Sequence, residues 1–464
     1  MIPELLLPIL RERTRQERAA VAAIALIGAS VLFGGQSGPA SFVQSIPQLL
    51  AVGALAWLGG TARRGDFIDG AGVMFALAAA MCGLIALQLV PLPYPVWTNL
   101  PARAEPAEAL RLAVPGMPWR PLSLDPGATL QSALTLLPAL AMLGIGATLD
   151  REGLRRVMLA IAACALVSLV IGWVQLLGGI DGPLYVYGQP EARLALGLFA
   201  NRNHQADMLC VGLLVASALQ YFLAPQVRLI RRHRLVCAAA VTALFGIGTL
   251  FTASRFGNLV FLPCAGFAMA VAFVDSRRKR SARTAVMLVL IALVFVVIGW
   301  ASFSMLAQRV QNLRDLRFTI WPDAWYLAQT VWTSGTGFGT FVPAYQRIES
   351  LSGVTPLLVN AAHDDYLQLL IEGGAAAIAL LAAFFIWFGW RIVRLVRLGH
   401  GLAGWFAAAG LTVLLVHSAV DYPLRTEALS TIFAALTVIL NAAGQPLPAS
   451  ARHLDASTEF AGER

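Results

Sequence analysis

The chain has 464 residues, of which 58% are hydrophobic and only 13% charged, and its mean hydropathy is +0.71. Soluble domains carry roughly 25% charged residues, so this composition excludes an ordinary soluble globular protein. The formal charge of +9 is therefore read as arginine that sets membrane topology, and no nucleic-acid partner is expected.

Runs of about 20 apolar residues recur along the chain, each long enough to cross roughly 30 Å of hydrocarbon as a helix. Arg11, Arg13, Arg15 and Arg18 precede the first run, 19–35. No compact small-residue cleavage site follows and further spans do, which predicts an uncleaved first helix behind a cytoplasmic segment 1–18. The second run, 42–60, ends at Arg63 and Arg64, and the third is 71–90. The loop at 91–129 holds five prolines between Pro91 and Pro106, a density that forbids regular helix. Its Trp97 and Trp119 suit a membrane interface.

The fourth and fifth runs, 130–149 and 157–177, are separated by Arg151, Arg155 and Arg156. A polar loop at 178–205 leads to the sixth, 206–224, which ends in RLIRRHR. The seventh, 235–252, turns at Ser254-Arg255 into the eighth, 257–274. DSRRKRSAR precedes the ninth, 284–301, and a long loop, 302–374, precedes the tenth, 375–390. RIVRLVR leads to the eleventh, 402–420, DYPLR to the twelfth, 428–443, and a polar tail, 444–464, is expected to be disordered. The domain prediction is thus a single transmembrane domain, 19–443, in an all-α polytopic protein of about 12 spans.

Positive residues favour cytoplasmic loops. With the N-terminus inside, the clusters beginning at Arg63, Arg151, Arg228, Arg277 and Arg391 all fall inside. The loops at Pro91, Glu191, Arg255, Ser302 and Asp421 fall outside, and the tail returns to the cytoplasm. Arg193, Arg202, Arg255, Arg317 and Arg347 then lie on the side where arginine is disfavoured. Arg255 stands out, in a minimal turn, TLFTASRFGNLVF, with no acid nearby in sequence. A charge at a membrane edge needs a partner or a task. The five cysteines, Cys82, Cys164, Cys210, Cys237 and Cys264, fall in or beside apolar runs and read as buried inert thiols.

The long loop carries Arg309, Arg314 and Arg317, then RFTIWPDAW, GTGFGTF and NAAHDDYLQLLIEGG. GTGFGTF has the glycine spacing of a phosphate loop without the parallel-sheet unit of one. A sharp turn is the plainer reading, and it is compatible with a substrate approaching the backbone at Gly337 and Gly339. His363 admits three readings. A metal site with Asp364 and Asp365 is disfavoured, because adjacent helical side chains diverge by about 100°. A helix cap and an acid/base or substrate-positioning group remain. Asn201, Arg202, Asn203 and His204 lie at the mouth of the sixth run, where one asparagine suits a helix N-cap. His417 and Asp421, four residues apart, read mainly as polar packing inside the bundle.

Taken in order, ANRNHQA, TASR, RFTIW, GTGFGTF, AHDDYLQLLIEGG and VHSAVDYPLR resemble the O-antigen ligase and O-antigen polymerase superfamily of membrane glycosyltransferases. The PLPYPVW…PLSLDPGAT loop is also similar, and the resemblance covers about residues 89–425. It implies a GT-C-like enzyme of the bacterial inner membrane whose active site faces the periplasm. The implied donor is an undecaprenyl-pyrophosphate-linked glycan, and the acceptor is lipid A-core or a second lipid-linked glycan. Arg255 and Arg317 match the family's two functional arginines and His363 its loop histidine, with Asn201, Arg202, Asn203 and Tyr366 as neighbours. Two departures are Arg202 in the NPN-like motif and Asp364 where the family often has asparagine.

The chemistry of these residues agrees with that implication. Charge grows on the departing pyrophosphate, and arginine can hold phosphate oxygens without a metal. His363 would orient or deprotonate the acceptor. The expected reaction is a direct displacement with inversion, with no metal or cofactor. A polymerase of lipid-linked repeat units is one alternative. A lipid-linked glycan transporter or flippase is another, but the internal repeats expected of a transporter are not evident.

Overall fold

The computed structural model describes residues 6–36, 42–113, 116, 118–178, 182, 184–188, 194–223, 227, 233–275, 317–351, 354, 358–398 and 401–444. The protein is all-α and polytopic, with a single two-stranded ribbon among the described residues. The helices are α1 (Leu6–Phe33), α2 (Ser45–Thr61), α3 (Ala71–Gln88), α4 (Tyr94–Thr98) and α5 (Ala104–Ala113). They continue as α6 (Pro126–Gly146), α7 (Arg151–Gly178), α8 (Arg202–Leu223), α9 (Arg234–Phe251) and α10 (Arg255–Asp275). The last five are α11 (Arg317–Val331), α12 (Phe341–Tyr345), α13 (Asp365–Leu398), α14 (Leu402–His417) and α15 (Glu427–Ala443).

Nine of the described helices are long and apolar enough to cross a membrane, and α14 and α15 are shorter apolar helices. They follow the predicted runs in order. The predicted run 284–301, most of the basic segment before it, the tail from 445, and Arg193, Arg309 and Arg314 lie outside the described residues.

One helix is enclosed by the others. In α8, 83% of the apolar window is buried, against 22–44% in the other eight long spans. It packs against α7, α9, α10 and α14. That enclosure is what admits its buried His204, Gln205, Asp207, Ser217 and Gln220, because polar side chains in a span must face the protein interior rather than lipid. On the other side α15 packs against α1, α6 and α14.

The tenth predicted span begins where the backbone breaks. Within α13, Gly374 adopts φ 63° and ψ −160°, which separates a short arm, 365–373, from the apolar helix that follows. The arm bridges two helix ends. At its start Tyr366 Oη donates to Leu415 O (2.5 Å) and Asp365 N to Ser418 O (2.7 Å), both at the end of α14. At its finish Glu372 O accepts from Gln88 Nε2, the last residue of α3 (2.9 Å). α11 packs along this arm through Ile320, Ala324, Leu327, Ala328 and Val331. The described part of the long loop, from residue 317 on, is therefore laid across one end of the bundle, hereafter the loop end.

The glycine run is the clasp of that arrangement. Gly335, Gly337 and Gly339 have φ of 70°, 109° and 80°, a region that side-chain-bearing residues rarely adopt. Gly337 N donates to Glu372 O (3.0 Å). A Cβ at Gly337 would lie 2.3 Å from Ser123 Oγ, and one at Gly339 2.5 Å from Ser132 Oγ. Gly337→Ala is thus expected to destabilise the protein by about 1–3 kcal/mol through overpacking. A lowered thermal midpoint in detergent is the measurement, and an unchanged midpoint would contradict the packing described.

The proline-rich loop corrects two expectations. Short helices do form there, because Pro95 and Pro106 fall in the first turns of α4 and α5, where the N–H they lack would have no intrahelical acceptor. Trp97 is buried rather than interfacial and donates Nε1 to Pro121 O (2.8 Å), while Trp119 is exposed. The loop is anchored by Arg103, a wholly buried residue. Its guanidinium donates to Pro101 O, Leu122 O and Gly335 O, so it ties the proline loop to the glycine run. Burial, with Arg347 nearby, pushes its pKa down to about 10. The cysteines are all free, but Cys82 is exposed and only Cys210 and Cys264 are buried.

Candidate active site

Four chain segments meet at the loop end, and Asp421 is where they meet. It sits in the turn between α14 and α15 and is fully buried. Its Oδ1 lies 3.5 Å from His363 Nδ1 and 4.0 Å from His204 Nε2. Its Oδ2 lies 3.6 Å from Arg317 Nη2 and accepts a hydrogen bond from Asn203 Nδ2. Burial works against its charge, yet the bond from His363 and the imidazoles of His204 and His417 hold the carboxyl well below the usual carboxylate range. Asp421 is buried polar packing as expected, but its partners come from the long loop as well as from α8. It is the anion that gathers the loop histidine and the loop arginine.

His363 is held from several directions. Its backbone has φ 52°, a left-handed conformation sustained only when neighbours impose it. On one side Ala362 N donates to Gln368 Oε1 (3.0 Å), and Trp321 Nε1 donates to Ala362 O (3.0 Å). On the other, the ring of Tyr422 stands edge-on to both His363 and His204, with centroids 4.9 and 5.1 Å away. RFTIW thus makes two contacts with this region from one helix face, since Arg317 and Trp321 are one turn apart on α11.

The acids after His363 have separate tasks. Asp364 caps the arm, its Oδ1 accepting from Tyr366 N (2.9 Å) and Leu367 N (3.0 Å). An asparagine would cap equally well, so this departure from the family pattern leaves the local fold intact. Asp365 points the other way, accepting from Ser418 Oγ (2.9 Å) and pairing with Arg425 Nε (3.2 Å). Arg425 also reaches Glu372 Oε2 (2.8 Å), whose other oxygen accepts from Phe341 N. That network locks the Asp421 turn, the arm and the glycine run into one unit.

Arg255 arrives from the α9–α10 turn. Ala253 has φ 53°, and Ser254 Oγ donates to Asn203 Oδ1 (2.8 Å) while accepting from Gly257 N (3.1 Å). Asn203 therefore joins the Arg255 turn to Asp421 through its two amide atoms. Arg255, Arg317 and His363 are each half-buried.

The remaining predicted residues divide. Asn203 belongs to the cluster. Asn201 is the N-cap of α8, accepting from Asn203 N (2.8 Å), and Arg202 opens that helix half-buried. Tyr366 spends its hydroxyl on Leu415 O. Gly337 and Gly339 stand apart, where the space a side chain would need is filled by the protein itself. Sequence alone does not single out Asp421 as the hub, nor Tyr422 as the wall between two histidines. The available signals are the position of DYPLR, in an outward-facing turn on the positive-inside reading, and its place in the resembling motif VHSAVDYPLR.

A carboxylate at Nδ1 of an imidazole selects the Nδ1–H tautomer and leaves Nε2 to accept a proton. Guanidinium groups on the same side can hold an anionic leaving group. Residues 238–382 match the family model described as O-antigen ligase. The match supports the O-antigen ligase-like superfamily, whose members are glycosyltransferase-like membrane enzymes, and does not separate ligase from polymerase. The matched segment contains Arg255, Arg317 and His363 but neither Asn203 nor Asp421. No curated protein matches the chain.

Proposed function

We propose that the protein transfers a glycan from undecaprenyl pyrophosphate to an acceptor hydroxyl at the periplasmic face of a bacterial inner membrane, as an O-antigen ligase does. The observation that carries this reading is the meeting of His363 and Arg317 at Asp421, with the Arg255 turn tied to the same cluster through Asn203. Arg255 and Arg317 hold the pyrophosphate and neutralise the charge that grows on it. His363 takes the acceptor's proton as the acceptor oxygen bonds to the sugar's anomeric carbon. The bond from that carbon to the pyrophosphate oxygen breaks on the opposite face, giving inversion and free undecaprenyl pyrophosphate. Asp421 orients the imidazole and stabilises its protonated form. The mechanism draws on no metal or cofactor.

The test is a reaction with purified protein in detergent, without a gradient, using a polyprenyl-pyrophosphate glycan and two acceptors. Product on lipid A-core is the expected result. Product only on a second lipid-linked glycan would make the protein a polymerase instead. No product with either acceptor, from folded protein, would overturn both readings and favour a transporter.

A further inference from the structure

Below the Asn203–Asp421 contact lies a second polar tier, buried in the bundle. Asp207 is one helical turn beyond Asn203 on α8, and His417 is one turn before Asp421 at the end of α14. Their side chains meet, with His417 Nδ1 at 2.5 Å from Asp207 Oδ1, and their exposures are 0% and 1%. The two tiers have opposite polarity across the same pair of helices. In the upper tier the acid is on the α14 side, and in the lower it is on α8.

The far side of the lower tier faces α10. The ring of Phe256 packs on the His417 imidazole, with centroids 4.6 Å apart and planes tilted by 34°. Phe256 directly follows Arg255, and Ser254, which directly precedes it, is bonded to Asn203. Arg255 is thus flanked by two tethers, one to the upper tier and one to the lower. The turn between them carries a left-handed residue at Ala253 and a hydrogen bond from Ser254 N to Thr252 Oγ1 (3.1 Å).

We infer that Asp207 and His417 are positioning residues for Arg255, acting through the Phe256 ring. The inference rests on the reading of Arg255 as a pyrophosphate ligand. Asp207 fixes the orientation of the His417 ring, the ring supports Phe256, and Phe256 sets the first turn of α10 that aims the guanidinium. Misplacement of a catalytic contact by about 1 Å can lower a rate by about 10²-fold, so a buried pair with no substrate contact can govern turnover.

The deciding variant is Phe256→Ala, which leaves the buried Asp207–His417 pair in place. Two readouts are taken on folded, detergent-purified protein: the kcat and acceptor KM of glycan transfer, and the affinity for inorganic pyrophosphate. Phe256→Ala is expected to lower kcat by about 10- to 100-fold with the acceptor KM unchanged, and to weaken pyrophosphate binding. Asp207→Asn and His417→Ala should act in the same direction. The double variant Phe256→Ala with His417→Ala should lose no more than the larger single loss, because both act through one contact. Wild-type kcat and pyrophosphate affinity in Phe256→Ala would overturn the inference, as would strictly additive losses. If the wild type transfers nothing but binds pyrophosphate in an Arg255-dependent way, the transfer reading fails while the affinities still decide the positioning role. If the wild type binds no pyrophosphate, the inference falls with its premise.

Discussion

Replacing Asp421 by asparagine is expected to lower glycan transfer by about 10²–10⁴-fold, the range that a positioned acid–base group contributes, with the upper end reached where a histidine loses its orienting carboxylate. The amide keeps the shape of the site but removes the charge facing His363, His204 and Arg317. Without that charge the imidazole has no preferred tautomer, and its protonated form is no longer stabilised. Asp421→Ala should do further damage, because it also removes the oxygens that accept from Asn203 Nδ2 and Tyr422 N, and each buried donor left unsatisfied costs about 1–3 kcal/mol. The two variants separate chemistry from folding: the asparagine protein should insert and accumulate normally, whereas the alanine protein should also melt earlier. Transfer at the wild-type rate by Asp421→Asn would remove Asp421 from the mechanism.

Arg317→Ala is expected to lower kcat by about 10²–10³-fold, the usual loss when one donor to a developing anion is removed. Arg317 has a second role, since its guanidinium faces the Asp421 carboxylate. Lysine at this position should recover only part of the loss, because it lacks the planar fork that can face a carboxylate and phosphate oxygens together. Membrane insertion and protein level are the controls. His363→Ala should likewise abolish transfer with both controls intact. Wild-type transfer by Arg317→Ala or by His363→Ala would show that the site has been assigned to the wrong residues.

Much of the candidate site is legible from residue type and position. Arg255 is conspicuous because a minimal turn between apolar runs offers a cation no local acid. His363 is conspicuous because the loop around it is polar and ends at a span. The left-handed glycines were readable as a turn. What they turn against was not, since Ser123 and Ser132 lie more than 200 residues upstream. Asp207 escapes notice because it lies inside an apolar run, where a single acid has no visible partner. Its partner, His417, is 210 residues away. Arg103 is wholly buried among backbone carbonyls of two loops, and one of those carbonyls, at Gly335, is 232 residues away.

The order of the spans, the place of the long loop and the break at Gly374 were already determined by the amino-acid sequence. Hydrocarbon imposes a length on every crossing helix, and glycine alone accepts the backbone angles of that break. Such constraints act locally, so they can be read locally. Only the tertiary structure decided which polar groups share the loop end. Asn203 and Asp421 are 218 residues apart, and nothing in either neighbourhood encodes the other. They meet because α8 and α14 pack together, and a buried carboxylate there must be surrounded by donors and cations.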